Sequence, residues 1–411
     1  MPVGIDKAIA TPTMSTLIEA TGALHIRVCS SWDDLEIVRA DWDSLLTASS
    51  SIFLTLEWLT AWWRSYGSGR ELVSLLFFTP EDELVGAAPL YLDTRNVALG
   101  RKLTLLRLVG DGSGDSDDLD FPIRPGYEAA CAEKFLSWLR AYKWDLCVLA
   151  TLDENSRFRK CLLRSLGSAG WPFLETRSPH LFISFPESWE CYLKRLAPEF
   201  RPLLGRYPRR LRSKHQIQIF RSTTQDLEKN LLKLFSLHKQ RWNARGGSGA
   251  FSNPGRCQFY REMAHNFSGR GWLEFWLMDL DGTTVAAQFC FRFRDTVYLL
   301  QEGFDPKYAN EKIGYALRAA TLEHFIREGV GKYDFLAGAD SYKLRFGAEE
   351  STYRNIEFAK ASTRGSAYLA LDRFGHNARQ RARTHLPQPL MHFLRRTLGK
   401  ANGARNLFLR H

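Results

Sequence analysis

The run from Val285 to Glu349 constrains the fold of this 411-residue chain more than any other stretch. Val285 to Phe293 and Val297 to Phe304 are rich in aromatic and β-branched residues, and Arg294-Asp295 lies between them. That pattern predicts a hairpin. Ile313, Leu317, Ala320 and Phe325 then keep a helical period up to Gly329, a helix stop. Tyr333 to Leu336 predicts a short buried strand running into a polar loop, Ala339-Asp340-Ser341-Tyr342-Lys343. The order is that of an α/β fold, in which functional loops gather at the carboxyl ends of neighbouring strands. Those ends would bring Glu302, Asp340, Tyr342 and Lys343 together. Gly314 at the helix start leaves backbone N–H groups bare at the positive end of the helix dipole. Ile313, Gly314, Tyr315 and Ala316 are therefore either a phosphate cradle or a plain turn.

The same order of elements occurs earlier in the chain. Gly126-Tyr127 opens a helix that ends before Trp144-Asp145-Leu146, as Gly314-Tyr315 opens one that ends before Tyr333-Asp334-Phe335. Gly86-Ala87-Ala88-Pro89-Leu90 parallels Val285-Ala286-Ala287-Gln288-Phe289. A duplicated α/β unit follows. The first copy spans 23–186 and the second 216–360, joined by a basic linker helix over 187–215. Residues 1–22 and 361–411 are tails. The first copy has no Tyr-Lys-x-x-Phe-Gly after its Asp145 strand, so it reads as non-catalytic, a cleft wall that holds the acceptor.

Net charge is +11 and unevenly placed. Residues 364–411 carry ten Lys/Arg and one acid, and residues 194–214 carry eight and one, so the remaining chain is acidic. The linker arginines suit either a solvated helix or a clamp for an anion. The basic tail suits an anionic membrane surface, a nucleic acid, or no partner at all. Five Asp fall within Asp111 to Asp120, without the spacing of a calcium loop. They form either a solvated turn or an acceptor-facing loop. The seven cysteines show no C-x-x-C pair and read as reduced thiols of a cytoplasmic protein, with no metal. No apolar run reaches the length of a membrane span.

The 285–349 run resembles the CelD/BcsL-type acetyltransferases of the GNAT superfamily. Val285-Ala286-Ala287-Gln288, Gly303-Phe304-Asp305-Pro306, Tyr333-Asp334-Phe335 and Tyr342-Lys343 carry the likeness. The Lys343-x-x-Phe346-Gly347 ending is similar to the Fem aminoacyl-transferases, which are double GNAT proteins. The likeness extends to Phe53 to Trp58, to Ser116-Asp117-x-Leu119-Asp120 and to His238-x-x-Arg241-Trp242. It implies two tandem GNAT-like units with mixed sheets and an acyl-coenzyme A co-substrate, acetyl-CoA in the simplest case. It implies cofactor contacts at Ile313, Gly314, Tyr315, Ala316 and Gln288. Acceptor contacts are implied at His238, Arg241, Trp242, Trp58 and Asp117. Trp58 and His238 also read as core residues. In one departure, Glu311 stands where the GNAT pyrophosphate loop carries Gln or Arg, and a carboxylate beside a diphosphate is unfavourable.

Three functions fit. One is acyl transfer from coenzyme A to an amine or hydroxyl, on a small molecule or glycan precursor of the exopolysaccharide or cell envelope. Glu302 or Asp340 is then the base, Tyr342 the acid for the leaving thiolate, and Lys343 the stabiliser of the oxyanion, the last by the Fem resemblance. Alternatively, Tyr342 and Lys343 pair structurally with Asp334 or Asp340. The second function takes aminoacyl-tRNA as donor, bound through the basic segments. The third is an inactive scaffold of a polysaccharide-synthesis complex. Under each, the expected place is the cytoplasm or the inner face of the membrane.

Overall fold

The computed structural model describes residues 24–385, apart from 48, 98–100, 245 and 248, with side chains as far as Phe374. The expectations for residues 1–22 and for the segment around Pro387 lie outside these. The first half runs β1 (His25–Cys29), α1 (Trp32–Ile37), α2 (Arg39–Leu45), α3 (Leu56–Tyr66), β2 (Glu71–Leu72), β3 (Ser74–Phe78), β4 (Leu84–Ala88), β5 (Leu90–Asn96) and β6 (Lys102–Leu108). It continues with α4 (Glu128–Ala141), β7 (Leu146–Asp153), α5 (Arg157–Ser168) and β8 (Phe173–Ser184). Two helices, α6 (Trp189–Arg195) and α7 (Arg201–Arg212), stand where one linker helix was expected. The second half runs β9 (Ile217–Arg221), α8 (Leu227–Asn243), α9 (Pro254–Gly269), β10 (Leu273–Leu280), β11 (Thr283–Phe293), β12 (Thr296–Phe304), α10 (Ile313–Arg327), β13 (Lys332–Ala337), α11 (Ser341–Arg345) and β14 (Glu349–Phe358). A helix α12 (Arg364–His385) follows.

The mixed α/β architecture with its duplicated strand order is present. One half pairs as β9-β10-β11-β12-β13, the last pair parallel. The other pairs as β1-β3-β4, continues through β5, and reaches β6 and β7, again with a parallel last pair. Pro89 separates β4 from β5 because proline has no N–H for the ladder. Its carbonyl instead accepts from Val109 N–H at 2.7 Å.

The closing strands depart from the expected pair of separate copies over 23–186 and 216–360. β8 does not close its own half: it pairs antiparallel with β13 and β14. β14 in turn lies between β8 and β7. Each half thus lends its last strand to the other, and one eleven-stranded sheet runs β2-β5-β6-β7-β14-β8-β13-β12-β11-β10-β9. The helices that follow the exchanged strands cross over too. α7 packs on α10. The start of α12 packs on the first half, where Leu369 is buried with Leu105 and Leu146 and Arg364 pairs with Asp145 at 2.9 Å. The segment after Lys360 is therefore not a free tail at its beginning.

The Gly-Tyr repeat is out of register in space. Gly126 precedes α4 in a left-handed turn (φ 99°), whereas Gly314 is the second residue of α10. Likewise Asp145 stands before β7 and Asp334 inside β13. The duplication lies in the order of elements, not in those letters.

Candidate functional site

β12 and β13 hydrogen-bond only over Thr296–Tyr298 and Lys332–Asp334. β12 then runs on to Phe304 without β13 beside it, so an opening forms that faces the start of α10. A bulge turns β13 away. Asp334 accepts from Leu336 N–H at 2.8 Å, and Leu336 takes a left-handed conformation (φ 61°) that is costly for a branched side chain. Asp334 is itself held by His180 Nε2, which donates to both of its oxygens at 2.8 and 2.9 Å, and by Lys332 at 2.8 Å. Burial alone would raise its pKa, but the hydrogen bond from His180 and the Lys332 ammonium keep it below the usual range.

Alternation along β12 sorts the side chains around the opening. Gly303 faces α8, and a Cβ there would lie 2.8 Å from the His238 backbone nitrogen, so only glycine lets helix and strand meet. Glu302 and Phe304 face the other side, where α10 lies: Glu302 pairs with Arg318, and Phe304 touches the Cβ position of Gly314. Arg241 starts on α8 yet reaches Glu302 at 3.3 Å and covers the Phe304 ring at 4.8 Å. Its side chain must cross the sheet plane, and it crosses where β12 and β13 have parted.

Arg318 is 2% exposed and ringed by Tyr342 at 4.8 Å, Phe346 at 5.1 Å and Phe335 at 5.5 Å. Burial would raise the Glu302 pKa, yet Arg318 and Arg241 hold it below the usual carboxylate range. A general base needs a pKa near the working pH, so Glu302 is a fixed anion and not the base expected of it. Tyr342 is pushed up by burial and by Glu302, which makes it a poorer acid for a thiolate than a free phenol. The expected loop around it is the short helix α11. Asp340 is largely exposed, and its carboxylate lies 4.0 Å from Lys343 Nζ.

Lys343 does not hang free in the opening. It is buried, and its amine donates to the Phe335 and Ala337 carbonyls at 3.1 and 3.3 Å, tying down the bulged end of β13. Burial lowers its pKa, against the pull of Asp340 and Asp117. An ammonium has three donors, so one direction is left towards those carboxylates.

The first half supplies the facing wall. The Asp111–Asp120 loop is not a solvated turn. Asp115 is buried, paired with Arg256 of α9 at 3.0 Å, and accepts from Tyr260. Asp117 accepts from Ala337 N–H at 2.8 Å, so the loop caps the bulged strand of the other half. Burial pushes the Asp117 carboxyl up to about 6, only partly offset by that backbone bond.

Three expected contact residues are buried elsewhere. Trp58 is wholly buried against Phe53 and Phe259, and its indole donates to Ser116 at 2.9 Å. It cannot touch an acceptor, but it fixes the residue next to Asp117. Gln288 is buried beneath α10 and accepts from Thr321 at 3.0 Å, away from the first turn of that helix. His238 is buried as well, and Trp242 Nε1 donates to its Nε2 at 2.9 Å.

At the start of α10, Lys312 is left-handed (φ 60°). The N–H groups of Tyr315 and Ala316 turn back to its carbonyl at 3.0 Å, which leaves the earlier N–H positions, Ile313 and Gly314, to face an anion. Space above Gly314 is adequate, since a Cβ there meets only Phe304 at 3.6 Å. Glu311 does not stand alone beside it: His215 Nε2 lies 3.6 Å and Lys214 Nζ 3.9 Å from its carboxylate. The residues therefore fit a diphosphate better than the bare sequence suggests. Among the described residues no group of three or more His, Cys, Asp or Glu side chains is placed to hold a metal.

Residues 199–344 match the family described as an acetyltransferase (GNAT) domain. With the mixed-sheet fold, that match supports a GNAT-type acyltransferase domain over these residues, and GNAT domains use acyl-coenzyme A. Among solved structures the chain is similar to FemX, at 11% identity over 77% of this chain and 95% of that one, with a TM-score of 0.53. It is equally similar to a conserved protein of unknown function from Bacteroides thetaiotaomicron VPI-5482, at 16% identity over 82% and 100%, TM-score 0.53. These likenesses concern the fold. No curated protein sequence matches.

Arg318 and the His180–Asp334 pair were not picked out by sequence reasoning. Arg318 had a signal: it is the one charged residue between Ile313 and Leu322. A lone charge in such a run has to find a partner in the core.

Proposed function

We propose that the second half transfers an acetyl or related acyl group from coenzyme A to an amine or hydroxyl presented from the Asp111–Asp120 side. The parting of β12 and β13 above the start of α10 carries this reading. An extended thioester arm fits between strands that offer unpaired backbone groups, with its diphosphate on Ile313 and Gly314. Coenzyme A would supply the activated acyl group. Arg241, crossing the opening, lies along the arm. Asp117 is the best-placed proton acceptor: it borders the opening, and a carboxyl near 6 is mostly ionised at neutral pH yet more basic than an ordinary carboxylate. Lys343 holds the end of β13 and adds positive charge beside the reacting carbonyl. The first half acts as the wall that carries Asp117. The likeness to CelD/BcsL-type enzymes points to a cell-envelope or exopolysaccharide precursor as acceptor.

Calorimetry with acetyl-CoA tests the donor site. Gly314→Ala should bind as wild type does. Gly314→Asp keeps a residue suited to a first helical turn but sets a carboxylate against the diphosphate, and it should bind at least roughly 10-fold more weakly. Equal binding by the two variants would remove this site. A second reading, an aminoacyl-tRNA donor, is favoured by Arg206, Arg209, Arg210 and Arg212 on α7, the helix packed on α10. Competition by tRNA for the acetyl-CoA site would select it.

A further inference from the structure

We propose that α12 and the basic residues after it dock the protein on an anionic lipid bilayer. Leu371 and Phe374 are three apart on this helix, hence on one face, and are 75% and 77% exposed. The opposite face is anchored: Leu369 is buried, Tyr368 accepts from Arg95 at 3.1 Å, and Arg373 donates to the Phe173 carbonyl. The outward apolar pair is thus held in place on a fixed helix. It is not a feature of the architecture, because α7, which follows the other exchanged strand, buries its Leu204 and Leu211.

The rest of the sequence selects the occupant. Residues 375–411 carry eight Lys/Arg and no acid. Folding that segment back over α12, or pairing α12 with a second copy, would bring like charges together. A nucleic acid would meet the charge but leaves Leu371 and Phe374 without a role. An anionic bilayer satisfies both, taking the side chains into its interface and the cations onto its headgroups.

The test is co-sedimentation of the full chain with phosphatidylcholine vesicles, with and without phosphatidylglycerol. Binding should require phosphatidylglycerol and fall with salt. Leu371→Glu/Phe374→Glu should weaken it roughly 10-fold or more, with melting temperature and acetyl-CoA affinity unchanged. Arg379→Gln/Arg381→Gln/Arg383→Gln should weaken it roughly 100-fold. The proposal is overturned if anionic vesicles do not retain the protein, or if the double variant binds them as wild type does. It is equally overturned if bulk tRNA binds more tightly than vesicles and the double variant leaves that binding untouched.

Discussion

The helix that follows β6 and the helix that follows β12 begin in opposite ways. α4 has an acid in its first turn, Glu128, whose carboxylate accepts from Gly126 N–H at 2.8 Å. The place where an anion would sit is filled from within. α10 has no acid in its first turn and starts from a left-handed Lys312. The openings differ in the same sense. β6 and β7 also pair briefly, over Leu105–Arg107 and Leu146–Val148. There, however, residues 109–123 fold into the gap: Leu119 and Phe121 are buried, Phe121 stacks on Phe158 at 4.1 Å, and Ala87 N–H donates to the Pro122 carbonyl. Filling the first opening is what aims Asp117 at Ala337 across the exchanged strands. The closed copy thus becomes part of the open one. Both copies keep the left-handed residue at the end of the parallel strand, Thr151 and Leu336, but cap it differently, from Asn355 of β14 and from Asp334 of the same strand.

The largest effect is expected where the open copy is wedged by charge. Arg318→Ala leaves Glu302 buried with Arg241 alone, and denaturant unfolding should show a loss of about 3–5 kcal/mol. A loss below about 1 kcal/mol would mean that water already enters the opening. Next, Gly303→Ala forces α8 off β12 and should cost about 1–3 kcal/mol with weakened donor binding, because Arg241 moves with the helix.

The filled loop has its own signature. Burial pushes the Asp117 and Asp120 carboxyls up to about 6 and raises that of Asp118 as well. Between about 4 and 6 the folded protein therefore holds protons that the unfolded chain has released. These groups make stability rise as pH falls through that window. Glu302 and Asp334, both depressed, contribute stability that is lost only at lower pH. Melting temperature should be higher at pH 5 than at pH 7, and Asp120→Asn should reduce the difference. A fall in melting temperature from pH 7 to pH 5 would contradict the burial of this loop. The smallest effect belongs to Glu128→Ala, at most about 1 kcal/mol for one exposed hydrogen bond, with donor affinity unchanged.

The elements of the open copy were legible because they are local. The hairpin around Arg294-Asp295, the helix ending at Gly329 and the strand at Tyr333 each carry their own period and stop. The exchange of β8 and β14 was not, because either strand alternates equally well against either neighbour, and the pairing joins residues more than a hundred positions apart. Two further departures, in the linker and at Asp340, have simpler causes. Proline at 202 opens a new helix turn within the linker, and Asp340 starts the short helix α11 where only polarity was visible. Of the site, Glu302, Tyr342, Lys343 and Asp117 do come together, yet their roles follow from partners such as Arg318 and Ala337 N–H that no motif names.

Hydrogen exchange on the whole chain, with and without acetyl-CoA, compares the two helix starts in one sample. Donor binding to the open copy alone predicts slowed exchange over residues 313–317 and 299–304 and none over 126–131. Slowed exchange at 126–131, alone or together with the second copy, would contradict a first half closed by its own carboxylate.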